Sequence, residues 1–299
     1  MSTARALATR GLSLSLGSFA LRDVTFELPT GYVMGFVGPN GAGKTTTIHC
    51  LLGMMRPDAG EVELLGARMP APESIRQDVG VVLDRTCYVE DWRLTEVERA
   101  LRPFYLRWDT ARYRELLDRF ELDPAHRVKE LSRGMAMKLT IAVALSHHAR
   151  LLVLDEPTSG LDPLARDDLV GILGDFVADE EHSVLFSTHI TTDLERIADY
   201  VTFIHEGRIV RTGTKDDLID GYRLVRGGPG DLPDASGVTL LGTRTHNSGF
   251  EALVPTDEID LFGPGLVIET PTLDEIVVHV GFGTRRGSTP GTTATTRSC

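Results

Sequence analysis

Two short stretches of the chain carry side chains at spacings suited to handling a polyphosphate. Gly38-Pro39-Asn40-Gly41-Ala42-Gly43-Lys44-Thr45 has the pattern G-x-x-x-x-G-K-[ST], after an apolar run and before the apparently helical Thr46–Leu52. Glycines let successive backbone N–H groups turn toward phosphates, and a helix N-terminus adds positive potential. Lys44 is then in reach of β- and γ-phosphate oxygens, and the Thr45 hydroxyl of Mg²⁺. The nucleotide-binding set read here is Gly38, Pro39, Asn40, Gly41, Ala42, Gly43, Lys44, Thr45 and Thr46. The second stretch, Leu151-Leu152-Val153-Leu154-Asp155-Glu156-Pro157, puts two acids at the end of an apolar run, where open α/β sheets place ligands. Asp155 suits Mg²⁺, directly or through water, and Glu156 can polarise an attacking water. Taken alone, the same pattern is also that of a strand end feeding a turn.

The elements that must position these groups read as an α/β core. Apolar runs at Tyr32–Val37, Val79–Leu83, Leu151–Leu154, Val184–Ser187 and Val201–Ile204 alternate with helical periodicity, the pattern of a mostly parallel sheet covered by helices. Leu12, Leu14 and Leu16 alternate as in a half-buried strand, which fits better than a secretory signal. Asp162 before Pro163 marks a helix start, with Leu164, Val170, Leu173 and Val177 on one face. The stretch 88–148 reads as a helical subdomain whose aromatics, Trp92, Phe104, Tyr105, Trp108, Tyr113 and Phe120, serve chiefly as core. Residues 1–220 form the main domain and 221–282 a small α+β appendage with strands near Val238–Leu241 and Leu266–Glu269 and a helix near Thr272–Val280. Residues 283–299 form a polar, flexible tail.

Composition narrows the function. With 299 residues, 41% of them hydrophobic, the chain can bury a large core. A formal net charge of −12 disfavours broad electrostatic attachment to nucleic acid. Cys50, Cys87 and Cys299 show neither metal-ligand nor disulfide spacing and fit a reducing compartment. No apolar run approaches the roughly 18 residues of a membrane-spanning helix.

Taken together, the motifs resemble those of the ATP-binding cassette family. Leu131-Ser132-Arg133-Gly134-Met135 stands where that family has LSGGQ, Ser159-Gly160-Leu161-Asp162 resembles its D-loop, and Ser187-Thr188-His189 its switch histidine. The resemblance covers most of residues 1–220. It implies a P-loop NTPase fold with an N-terminal antiparallel β part, and two copies, or this chain and a related one, sandwiching two ATP molecules. Lys44 of one subunit and Ser132, Gly134 and Asp162 of the other would hold each nucleotide. Glu156 would act as base, with His189 and Lys44 contacting the γ-phosphate, and Thr45, Asp155 and Asp84 as metal partners. Read without the family, Ser132 is a helix cap and His189 a structural histidine after a strand.

The resemblance has departures. Asp84 replaces the expected Gln after Gly80–Leu83, leaving open a metal ligand or a strand-end Asp in a turn. Leu16 stands where an adenine-stacking Tyr is common, and Phe19 is either its substitute or a core residue. Arg133 and Met135 depart from LSGGQ. With Pro271–Ile276, these features are similar to an exporter-type bacterial branch whose permeases are separate chains. The implied protein is a transporter ATPase, peripheral on the cytoplasmic face of the membrane, its permease docking near Val89–Arg93. The alternatives are a soluble cassette acting on nucleic acid or ribosomes and a slow regulatory ATP switch. His147 and His148 read as solvated residues at a helix end.

Overall fold

The computed structural model describes residues 4–84, 87–232, 238–263 and 265–286. The chain divides into two compact units, Met1–Lys215 and Asp216–Cys299, slightly ahead of the boundary expected at 220.

The first unit begins with strands β1 (Arg5–Leu16), β2 (Phe19–Pro29) and β3 (Val33–Val37), then helix α1 (Lys44–Leu51). Strands β4 (Ala59–Leu64) and β5 (Ala67–Arg68), helix α2 (Glu73–Arg76) and strand β6 (Val79–Val82) follow. The helical stretch holds α3 (Leu94–Leu101), α4 (Thr110–Arg119) and α5 (Arg133–Leu145), with 3₁₀ turns at Arg102–Phe104 and Val128–Glu130. The unit closes with β7 (Leu151–Asp155), α6 (Pro163–Val177), β8 (Ser183–Thr188), α7 (Thr192–Ile197), β9 (Tyr200–His205) and β10 (Arg208–Thr214).

The six-stranded sheet has the order β10-β9-β3-β8-β7-β6, parallel except for β10. Every residue of β3, β7 and β8 is buried, as expected of parallel strands covered on both faces. An antiparallel sheet, β2-β1-β4-β5, lies over it. In β2 the alternation is clean from Val24 through Phe26 to Leu28, whereas between the buried Leu21 and Val24 it is interrupted at Asp23, whose φ is 53°. The two sheets share one core, in which Phe26 stacks on Phe36 with ring centroids 5.1 Å apart. Fully burying a side chain such as Phe36 contributes about 1.5–3 kcal/mol.

The second unit contains α8 (Lys215–Asp220), whose first residue belongs to the first unit, and β11 (Tyr222–Gly227), β12 (Leu241–His246), β13 (Gly249–Pro255), β14 (Val267–Glu269) and α9 (Leu273–Arg286). The strands pair antiparallel in the order β12-β13-β11-β14 around Val225, Phe250, Ala252 and Val254.

Several expectations need correction. Tyr32 precedes its strand and is 41% exposed. Leu164, expected on the apolar face of α6, is 80% exposed, because the buried stripe runs through Ala165, Leu169, Val170, Ile172 and Leu173. Of the helical-region aromatics, Tyr113 and Phe120 are core, whereas Phe104 points outward. His147 is not solvated: it is buried, stacked on Tyr105 with centroids 4.2 Å apart, with Nδ1 3.2 Å from the Gln77 carbonyl. Its neighbour His148 is the exposed one, at a positive φ of 56°. Cys87 is exposed, whereas Cys50 lies in the core, where burial raises its thiol pKa. Residues 238–240 form no strand, and α9 continues past 283 to Arg286. The remainder of the expected tail, residues 287–299, and Cys299 lie outside the described residues.

Candidate functional site

Four adjacent parallel strands, in the order β3-β8-β7-β6, deliver four chemically active segments at their C-terminal ends. They are the Gly38–Gly43 loop after β3, His189 after β8, Glu156 after β7 and Asp84 after β6. This is the edge where open α/β sheets bind ligands.

The phosphate loop is held by backbone that tolerates little change. Gly43 caps α1 at a positive φ of 113°, and a Cβ there would lie 2.7 Å from Leu21 Cδ2. A Cβ on Gly38 would stand 2.3 Å from the Ile204 carbonyl oxygen. The Ala42 carbonyl accepts from Gly207 N at 2.9 Å, fastening the loop to the β9–β10 turn. Lys44 is buried, its ammonium donating to the Gly38 and Pro39 carbonyls at 2.6 and 3.3 Å and lying 3.1 Å from Glu156 Oε1.

Asp155 is 1% exposed, and both of its oxygens accept from hydroxyls: Thr45 Oγ1 at 2.6 Å and Ser187 Oγ at 2.7 Å. The Ser187 contact was not foreseen, although the parallel register pairs Ser187 directly with Asp155. Glu156 turns into the site by adopting a φ of 53°, a left-handed conformation that costs a non-glycine residue on the order of 1 kcal/mol. Its N–H donates to the Ser187 carbonyl at 2.9 Å. Its Oε2 lies 2.8 Å from His189 Nδ1, so one carboxylate joins a buried lysine and a half-exposed histidine. Such a group can take a proton while its neighbours carry compensating charge.

These groups border an open cavity of about 430 Å³ lined by Phe19, Asn40, Gly41, Gly43, Lys44, Thr45, Thr46, Asp84 and Glu156. Phe19, rather than the surface residue Leu16, therefore faces the phosphate loop and offers an aromatic face to a base. Thr45 and Asp155 supply hard oxygen donors, the kind Mg²⁺ prefers, and Mg²⁺ normally needs only one or two protein ligands beside phosphates and water. Among the described residues no group of three or more His, Cys, Asp or Glu side chains is gathered for a metal, so phosphate and water oxygens would have to complete such a shell. Asp84 also faces the cavity, but its carboxylate is engaged by Arg133 Nη2 at 2.5 Å.

Ser132, Gly134 and Asp162 do not line this cavity. Ser132 caps α5, its Oγ accepting from Met135 N at 3.2 Å. Asp162 caps α6, accepting from Ala165 N at 3.0 Å, a bond that holds its carboxyl below the usual range. Gly134 packs on the loop before α6, where a Cβ would lie 3.0 Å from the Gly160 carbonyl.

Residues 21–159 match a family described as ABC transporter. The chain is 35% identical to the Nod factor export ATP-binding protein I of Cupriavidus pinatubonensis over 240 residues, spanning 77% of this chain and 73% of that protein. It is likewise 35% identical to the daunorubicin/doxorubicin resistance ATP-binding protein DrrA of Streptomyces peucetius, spanning 82% and 72% of the two chains. Among solved structures, the ATP binding subunit of an ABC transporter superposes with a TM-score of 0.63 at 32% identity, covering 71% of this chain and 91% of that one.

Proposed function

The chain belongs to the ABC transporter family as an ATP-binding, ATP-hydrolysing subunit, and from that premise we propose an exporter in which this site drives separate permease chains. The two relatives named for Nod factor export and for drug resistance support the export reading. No helix among the described residues is long and apolar enough to cross a membrane. The proposal puts the spanning helices in the permeases and this subunit, as residues 1–220 with the small 221–282 appendage, on the inner face of the membrane.

The observation that carries the mechanism is the contact of Glu156 with both Lys44 and His189 beside the Thr45–Asp155 pair. Triphosphate oxygens entering the loop would take over the Lys44 ammonium from the Gly38 carbonyl and Glu156, releasing Glu156 Oε1 as an acceptor while Oε2 stays bonded to His189. Glu156 then accepts the proton of a water that attacks the γ-phosphorus. The bond to the β–γ bridging oxygen breaks, releasing ADP and phosphate. His189, bonded to Glu156, orients that carboxylate and donates to the γ-phosphate. Thr45 and Asp155 would hold Mg²⁺, which supplies neutralisation of the phosphate charge. Ser132, Gly134 and Asp162 do not line their own chain's cavity, which supports their use on the nucleotide of a partner cassette.

Phosphate release by the purified chain tests this reading. Glu156→Gln removes the base while keeping the shape, and turnover should fall by about 10²–10⁴-fold with Mg-ATP binding retained. Turnover equal to that of the parent would remove Glu156 from the mechanism.

A further inference from the structure

Asp84 and Arg133, the two charged departures from the family pattern, meet in space although they lie 49 positions apart in sequence. Arg133 Nη2 is 2.5 Å from Asp84 Oδ1 and donates to Ser159 Oγ at 3.0 Å. The stem of the same side chain covers Gly160, whose ideal Cβ position lies 3.2 Å from Arg133 Cδ. One guanidinium therefore ties the loop after β6 to the start of α5 and to the loop that follows Glu156.

Stability does not explain this arrangement. The side chains of Arg133 and Asp84 are 60% and 45% exposed, and an ion pair so open to water contributes little to folding. Arg133 also occupies the first turn of a helix, where the dipole favours acids over cations. The charge at the cavity does explain it. Three carboxylates, those of Asp84, Asp155 and Glu156, stand around a site whose one ammonium among the described residues is Lys44. A triphosphate entering that site is repelled by any carboxylate left without a counter-ion.

We propose that Arg133 is a positioning residue that acts through Asp84: it neutralises this carboxylate on the cavity wall, and so permits an acid where the family has an amide. The inference rests on the nucleotide reading of the cavity given above. In this protein the α5 N-terminus thereby acts on the nucleotide of its own subunit as well as facing a partner. Nucleotide binding and the position of α5 are coupled through a single ion pair.

A double-mutant cycle tests the proposal. Equilibrium binding of Mg-ATP is measured by displacement of a fluorescent ATP analogue from the full chain, its R133A and D84N variants, and the double variant. Replacing Arg133 by Ala should raise the Kd of the parent about tenfold, the scale of one unit charge acting on a triphosphate across a wet cavity. In the D84N background the same replacement should change Kd less than about twofold, since a neutral amide needs no counter-ion. ADP, lacking the γ-phosphate, should feel the loss less than ATP, and R133K should recover most of the affinity. Equal effects in both backgrounds, or no effect in either, would overturn the proposal while leaving the nucleotide site standing. A parent chain unable to bind Mg-ATP would overturn the nucleotide reading itself.

Discussion

His147 offers a quantitative test of the packing beneath the helical region. Its ring is 1% exposed, and burial, the largest cause, lowers its pKa from 6.5 to about 4, with Arg107 and His148 adding in the same direction. In the unfolded chain the imidazole binds a proton as pH falls through its ordinary value, whereas the native ring stays neutral until about pH 4. Between those values the unfolded state holds the extra proton, so stability falls as pH falls. Above that window both forms are neutral and the contribution is complete. A shift of this size is worth about 3 kcal/mol in full, of which about 2 kcal/mol is already lost near pH ~5. Urea unfolding followed by tryptophan fluorescence reads the right part of the molecule, because both tryptophans, Trp92 and Trp108, lie in the first unit. Carboxylates also titrate in acid, so the comparison is with His147→Asn, whose amide can still donate to the Gln77 carbonyl but binds no proton. The variant should start less stable, having lost the stack on Tyr105, and the gap should narrow by about 2 kcal/mol on going from pH ~7 to ~5. An unchanged gap would show that the native ring takes up its proton over the same pH range as the unfolded chain and that its burial is not as described.

Two predictions address the nucleotide directly. Lys44→Ala removes a charge-assisted contact to the phosphates and leaves the partly buried Glu156 carboxylate without its ammonium, so Mg-ATP affinity should fall about 10–100-fold by equilibrium titration. Affinity within twofold or so of the parent would contradict the assignment of the loop. Ser132→Arg removes the α5 cap, at about 1 kcal/mol of stability, and adds bulk outside the chain's own cavity. ATP should still bind the monomer while ATP-dependent pairing of a Glu156→Gln chain disappears by light scattering, and persistent pairing would refute the role in a partner site.

What the sequence disclosed, and what it concealed, divides along the distance over which each signal acts. The phosphate loop is legible because its chemistry is local: Gly41 and Gly43 must take positive φ, Lys44 must follow, and the run before them must be strand. The Asp162 cap with Pro163 behind it is equally local, and the structure places it as read. Leu164 misled because a helix face is fixed by what packs against it, and the phase of α6 turns this side chain outward. At the end of α5, two adjacent histidines present identical local chemistry, but a left-handed residue at His148 reverses the chain and sends His147 alone into the space beside Tyr105. Ser187 became part of the site only through strand register, which no spacing within one segment can express. The Asp84–Arg133 pair shows the same limit in electrostatic form. Each residue by itself reads as damage to a motif, an acid near a triphosphate and a cation at a helix N-terminus. Brought within 2.5 Å, each removes the reason the other is unfavourable, so the two departures amount to one exchange of charge across the fold.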